Sequence, residues 1–255
     1  AGLGQALVGK GQEASSFMYT TAISESAAVG FGRLGWVGDH RVPMSAGAVP
    51  LARTLSRVLA RARRPAIGIE IEHRAVAAGS TGDLAPIDEI WENLRWPRAA
   101  MMVRDASHIR RHLLLAGDRR YSLLTARRHD RPVGYLLHRT LQPHALRAFG
   151  PARVGIVSDY LVDESDAATL QALVAEACRR WSAEGVMVCL ALSGHAGHRR
   201  ALARMGLLQP FAVGGRLVGR RMTSRMMFQP EPGTGGHWHV TFADNDTDLI
   251  LGTGG

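Results

Sequence analysis

Two apolar runs, "ARVGIVSDYLVD" (152–163) and "VMVCLALS" (186–193), constrain this chain more than any other feature. Each has the length of a strand and so few polar residues that burial on both faces is required. Between them, "SDAATLQALVAEACRRWSAEG" (165–185) predicts a helix, with Ser165 as N-cap, acidic residues near that end and Gly185 as the stop. Neighbouring central strands joined by a helix predict an α/β fold with a mixed sheet. Asp159 stands out within it, because a carboxylate in a buried strand must be either paired or functional.

The flanking segments supply the rest of such a sheet. "RYSLLTARRHDRPVGYLLHRTL" (120–141) predicts two strands around a charged turn at His129 to Arg131, and "AIGIEIEHRAV" (66–76) alternates as a strand does. "LAPIDEIWENLR" (84–95) predicts a helix, and 98–118 a further largely helical stretch. "AVPLARTLSRVLARARR" (48–64) predicts a helix stopped by Pro65, with Leu51, Leu55, Val58 and Leu59 as its apolar stripe. "GHAGHRRALARMGLL" (194–208) predicts a short helix ending at Gly206, and strands are expected within 215–228. A glycine hinge (231–236) leads to a terminal strand, "HWHVTF", and an acidic tail.

At the front, a helix is expected from Gln5 to about Glu13, a strand at 16–24, a helix at 25–36 ended by Gly35, and a strand at 36–44. These strands have no obvious partners, so the first unit is expected to continue upstream.

Composition narrows the function classes. With 255 residues, 46% of them hydrophobic, the chain is long enough for one large or two smaller domains. No apolar run approaches the roughly 18 residues of a membrane span, and no export leader precedes the first strand, so a cytoplasmic location is expected. Cys178 and Cys189 lack metal-ligand spacing and predict buried free thiols in a reducing compartment, with no metal site. The net charge is +9, yet Lys10 is the only lysine, so 30 of the 31 basic residues are arginines, spread along the whole chain. They are not interleaved with aromatics as a base-stacking surface would require, which makes nucleic acid an unexpected partner.

Few residues advertise chemistry. His195 and His198, three apart at the start of a helix, could share a face; either could take a proton from an amine, but two histidines are too few for zinc. His237 and His239 alternate with Trp238. Asp244, Asp246 and Asp248 lack the glycine and distal glutamate of a calcium loop and are expected to be solvated. Met222, Met226 and Met227 are expected to serve packing.

The opening "AGLGQALVGKGQEAS" places Gly2 and Gly4 before a helical stretch, so that backbone N–H groups could aim at an anion. The front also echoes the back: a strand, a helix ending "RLGW" and a strand are matched by a strand, a helix ending "RMGLL" and a strand. This unit resembles the GNAT superfamily of acyl-CoA-dependent N-acyltransferases, through Gly2-Leu3-Gly4 before a helix, the strand at 16–24 and "GFGRLGW". The tandem arrangement and the ending "HWHVTFADNDTD" are similar to FemAB-like tandem GNAT proteins of bacterial cell-envelope and exopolysaccharide contexts.

The resemblance implies residues 1–44 as the C-terminal part of a first acyl-CoA-binding unit, 45–65 as a connecting helix, 66–230 as a complete second unit and 231–255 as hinge, strand and tail. It implies acetyl-CoA or another acyl-CoA as co-substrate, held by Gly2, Leu3, Gly4 and Gln5. The acceptor would be an amine, either a small molecule or an envelope precursor. Asp159, His195 and His198 are the candidate catalytic residues. One departure weighs against acyl-CoA binding by the second unit, and another against catalysis by either. Residues 161–173 contain no glycine, and Asp163, Glu164 and Asp166 there would repel a pyrophosphate. Where many members carry a tyrosine general acid, this chain has Phe31 and Leu202. A non-catalytic GNAT-fold envelope-assembly or scaffold protein is the alternative.

Overall fold

A computed structural model describes residues 19–21, 25–33, 35–62, 68–77, 84–94, 99–101, 103–117, 119–143, 149–208, 223–228, 237–239, 241 and 243. In chain order the described elements are β1 (Tyr19–Thr21), α1 (Glu25–Arg33), β2 (Val37–Ala48), α2 (Val49–Ala62), β3 (Ile69–Val76), α3 (Ala85–Leu94), β4 (Ala99–Met101) and α4 (Ala106–Leu115). There follow β5 (Tyr121–Arg128), β6 (Arg131–Leu141), β7 (Val154–Val162), α5 (Ala167–Ala183), β8 (Val188–Leu192), α6 (Ala196–Arg204), β9 (Thr223–Phe228) and β10 (His237–His239).

The two apolar runs are neighbouring strands at the centre of a mixed eight-stranded sheet, ordered β1-β9-β2-β8-β7-β6-β5-β3. β7 and β8 pair in parallel, and every other adjacent pair in this sheet is antiparallel. The β5–β6 connection is a two-residue turn with His129 at φ 50° and Asp130 at φ 63°. Positive φ at both positions matches the right-handed twist of the flanking strands.

Helices cover both faces. α5 lays Leu170, Leu173, Val174, Ala177, Cys178 and Trp181 into one core. Gly155 on β7 makes room for it, since a Cβ there would lie 2.5 Å from Trp181 Cε2. Cys178 and Cys189 are buried free thiols in this layer. On the other face, Ile87 and Ile90 of α3 and Ile109 and Leu113 of α4 pack with Tyr121, Leu123, Tyr135, Leu137 and Leu161.

Three local expectations differ from the structure. α5 is capped by Asp166, whose side chain accepts from Thr169 N at 3.0 Å, whereas Ser165 donates its own N–H to Asp163 Oδ1 at 2.8 Å. Residues 99–101 form β4, in parallel with β10, so helix occupies only the later part of 98–118. On α2 the side chains turned inward are Val49 and Ala52, and Leu51 and Val58 of the expected stripe face out. α2 packs on α5, where Arg53 Nη1 donates to Ser182 Oγ at 2.9 Å; small Ala52 permits that approach.

The front strands find their partners late in the chain. β2 pairs with β8 from Met44↔Leu192 to Ala48↔Val188 on one edge and with β9 on the other, while β1 pairs with β9. β2 runs on through residues 45–48, and α2 begins at Val49. Outward from the central β9–β2 pair, the order is symmetric: the strand before α1 lies beside β9, and the strand before α6 lies beside β2.

Both helices stop alike. Trp36 N donates to Phe31 O with Gly35 at φ 81°, and Leu207 N donates to Leu202 O with Gly206 at φ 80°. α5 ends the same way, with Val186 N donating to Trp181 O and Gly185 at φ 73°. The stop is therefore the general glycine solution to unpaired helix carbonyls, and the symmetric pairing is the more specific part of the echo.

Among the described residues, no helix is long and apolar enough to cross a membrane, and no three His, Cys, Asp or Glu side chains are grouped to hold a metal ion.

Candidate functional site

The central parallel pair does not stay together. Pairing between β7 and β8 ends at Val157↔Ala191, beside a bulge where the β6–β7 register steps from Leu137↔Asp159 to His138↔Val157 and leaves Ser158 unpaired. A bulge bends a strand and changes which side chains face which layer. Beyond it Tyr160 and Val162 face the α5 core and Leu161 faces the α3–α4 core.

Past the last pair, buried side chains link β7 to the residues after β8. Tyr160 donates its hydroxyl hydrogen to Ser193 Oγ at 2.8 Å, and Ser193 Oγ donates to His195 O at 3.4 Å. Tyr160 and Ser193 are both buried. Burial pushes the tyrosine hydroxyl well above its ordinary pKa, despite the bond to Ser193. The His198 ring meets the Tyr160 ring edge-on at 5.4 Å.

His195 is the N-cap of α6. Its Nδ1 accepts from His198 N at 3.4 Å, and its Nε2 lies 3.5 Å from a Glu164 carboxylate oxygen. Accepting on Nδ1 requires Nε2 to carry the hydrogen, so the ring faces Glu164 as a donor. Gly197 lets the ring lie against the first turn, because a Cβ there would stand 2.8 Å from His195 Cε1. His198, also buried, is lowered to about 4, by burial first and then by the neighbouring His195. The two rings meet at 4.8 Å, and of the two only His195 reaches the surface.

The loop from β7 to α5 offers little to an anion. Asp166 accepts from Thr169 N–H in the first turn of α5 and pairs with Arg128 Nη2 at 2.9 Å. Asp163 Oδ1 accepts from both the N–H and the hydroxyl of Ser165. A cavity of about 500 Å³ beside this loop is lined by both signs of charge, Arg128 and Arg131 with Asp163 and Asp166.

Asp159 lies on the other side of the sheet and is sealed. Arg104 Nε donates to Oδ1 at 3.0 Å, Thr241 Oγ1 to Oδ1 at 2.7 Å and Tyr135 OH to Oδ2 at 2.7 Å, with His108 Nε2 at 3.9 Å from Oδ2. Arg104 Nη2 donates in turn to Thr241 Oγ1 at 3.3 Å. Burial alone would raise the carboxyl's pKa. The charges of Arg104 and His108 and the bonds from Tyr135 and Thr241 outweigh it and hold the group below the ordinary carboxylate range. Asp159, Arg104, Tyr135 and Thr241 are all buried. Sequence reading singled out Asp159 but not its partners. The available signal was Arg104, a cation at the end of the apolar run "AAMMV".

The structure therefore brings His195 and His198 together and leaves Asp159 in a separate cluster. Phe31 packs on Trp36 with ring centroids 4.7 Å apart, and Leu202 is buried in the α5 core. Gly2, Leu3, Gly4 and Gln5 lie outside the described residues, as do Met222, Asp244, Asp246 and Asp248. The terminal strand docks by backbone pairing of His237–His239 with Ala99–Met101, and Thr241 follows it into the core. The side chain of Trp238 is outside the described set.

No protein-family model and no curated protein matches the chain. Solved structures similar to it include a GCN5-related N-acetyltransferase from Kribbella flavida, at 13% identity over 86% of this chain and 69% of that one, with a TM-score of 0.43. A functionally unknown conserved protein from Staphylococcus epidermidis aligns at 13% identity over 89% and 78%, with a TM-score of 0.46. An aminoglycoside acetyltransferase from an uncultured soil metagenomic sample aligns at 13% over 46% and 72%, with a TM-score of 0.31.

Proposed function

We propose that this protein is a GNAT-like N-acyltransferase built from two copies of one α/β unit. Residues 1–44 would be the end of an acyl-CoA-binding unit, and 66–230 a second unit that no longer binds acyl-CoA. The observation carrying this reading is the symmetric order β1-β9-β2-β8, in which each strand–helix–strand segment lends its last strand to the other.

In that reading Gly2, Leu3, Gly4 and Gln5 hold the pyrophosphate of acetyl-CoA or another acyl-CoA through backbone N–H groups. An amine nitrogen attacks the thioester carbonyl carbon, the C–S bond breaks, the amine's proton passes to a base and the thiolate leaves to be protonated. Of the three candidate residues, His195 alone reaches the surface, so it is the one we assign to the acceptor's proton. Nδ1 must release the cap to accept it. The acceptor would be a small molecule or envelope-precursor amine, and the location cytoplasmic.

The Tyr160–Ser193 bond and the capping by Asp166 support assigning acyl-CoA to the first unit only. Phe31 and Leu202, where a tyrosine acid would stand, favour the second reading, a non-catalytic envelope-assembly or scaffold protein. The full-length protein should release free CoA thiol from acetyl-CoA in the presence of an acceptor amine, and Gly4→Glu should abolish it. Acyl-CoA binding without thiol release across a broad amine panel would favour the scaffold.

A further inference from the structure

α4 carries a face that the fold does not use. Its inward side is Ala106, Ile109, His112, Leu113 and Ala116. Its outward side, at helical spacing, is Ser107, Arg110, Arg111, Leu114 and Leu115. Leu114 is 69% exposed and Leu115 65%, more than any other large apolar side chain among the described residues. Arg110, Arg111 and, just beyond the helix, Arg120 are exposed and make no ion pair among the described residues. No carboxylate lies between Ser107 and Leu115; the nearest in sequence are Asp105, occupied as the helix cap, and Asp118, which is outside the described residues.

We propose that this face of α4 docks on an anionic lipid bilayer. Leu114 and Leu115 would enter the boundary between headgroups and acyl chains, and Arg110, Arg111 and Arg120 would contact lipid phosphates. Exposed leucines beside unpaired guanidinium groups, on a helix anchored by its other side, fit an interfacial attachment. Charge complementarity selects the occupant: Arg110 and Arg111 beside the two leucines, with no carboxylate between Ser107 and Leu115, call for a dense anionic plane. A protein partner fits less well. A stable protein interface covers about 800 Å² on each side around a packed apolar core, and two leucines on a ridge do not supply one. Neither of the two cavities found beside α3 and β3 or the β7–α5 loop is lined by α4. The attachment is independent of which reaction, if any, the protein catalyses.

The test is cosedimentation with vesicles of equimolar phosphatidylglycerol and phosphatidylcholine, against vesicles of phosphatidylcholine alone. The protein should partition onto the anionic vesicles only, and added salt should release it. Leu114→Gln/Leu115→Gln and Arg110→Gln/Arg111→Gln should each weaken partitioning by roughly tenfold or more. Leu51→Gln/Val58→Gln, on the opposite helix layer, should not, and unchanged thermal melts would establish that all variants are folded. Equal partitioning onto both vesicle types, no partitioning onto either, or double variants that bind as wild type does would each overturn the proposal. So would light scattering that shows the leucine variant splitting a dimer while the wild type ignores vesicles, since the face would then be a protein interface.

Discussion

Tyr160 on β7 and Ser193 just past β8 are joined by a 2.8 Å hydrogen bond across the point where the two parallel strands part. It ties β7 to the residue that follows β8, beyond their last backbone pair, Val157↔Ala191. Tyr160→Phe keeps the ring and removes the bond, leaving Ser193 Oγ buried with one fewer partner. It should cost about 1 kcal/mol, read as a drop of a few degrees in thermal melting. In the proposed reading acyl-CoA affinity should not change, because that reading assigns the ligand to the opening glycine loop.

Asp159 neutralises a buried arginine, and that role is testable apart from catalysis. Asp159→Asn would remove the buried carboxylate that Arg104 Nε meets at 3.0 Å, a loss of about 3–5 kcal/mol in urea unfolding. The pH dependence has a definite sign. The folded carboxyl sits below its ordinary value of 3.8, so its contribution is complete above that pH and is lost as pH falls toward the folded value. The asparagine variant should lack this acid-limb loss below about pH 4.

A second acid sensitivity lies at His138, buried on β6 with its ring edge-on to Trp181 at 5.0 Å and neither ring nitrogen bonded among the described residues. Burial, assisted by His73 and Arg180, lowers it from 6.5 to about 3. The folded state therefore holds the neutral ring, and stability present above pH 6.5 is lost as pH falls through the interval to about 3. Between pH 7 and 5 this group should account for roughly 2 kcal/mol. His138→Phe, which keeps the edge-on packing, should reduce the slope of unfolding free energy against pH in that interval. An unchanged slope would exclude His138 as its source.

The two matched helix stops differ in their surroundings. Alanine at either Gly35 or Gly206 must adopt a left-handed conformation, but only at Gly206 would its Cβ meet a neighbour, Leu55 Cδ1 at 2.9 Å. Gly35→Ala should cost about 1 kcal/mol and Gly206→Ala about 1–3 kcal/mol more by chemical denaturation. Equal costs would mean that Leu55 yields without penalty.

Much of this architecture was legible because its signals are local. β7, β8, α5 and the β5–β6 turn announce themselves through apolar runs, helix stops and turn chemistry within a few residues. Pairing across the chain is not written that way. β1 is three residues long and meets β9 more than 200 positions later, so nothing near Tyr19 identifies Phe228 as its partner. Asp159 could be read as needing a cation, but Arg104 and Thr241 lie 55 and 82 residues away. β4 has the composition of a helix, "AAM", and is a strand because β10 pairs with it. Ser165 and Asp166 both fit an N-cap; Asp163 captured the serine, and the aspartate took the helix. On α2, periodicity found an apolar stripe but could not tell that α5 would pack against Ala52 and leave Leu51 and Val58 outside.

In the proposed reading, acyl-CoA binds through the opening glycine loop and not through the loop from β7 to α5. Calorimetric titration of acetyl-CoA into the full-length protein tests it directly, with Gly4→Glu and Asp163→Gly as paired variants. One site per chain is expected, abolished by Gly4→Glu and unchanged by Asp163→Gly. Equal loss in both variants, or no binding by the wild-type protein, would contradict it.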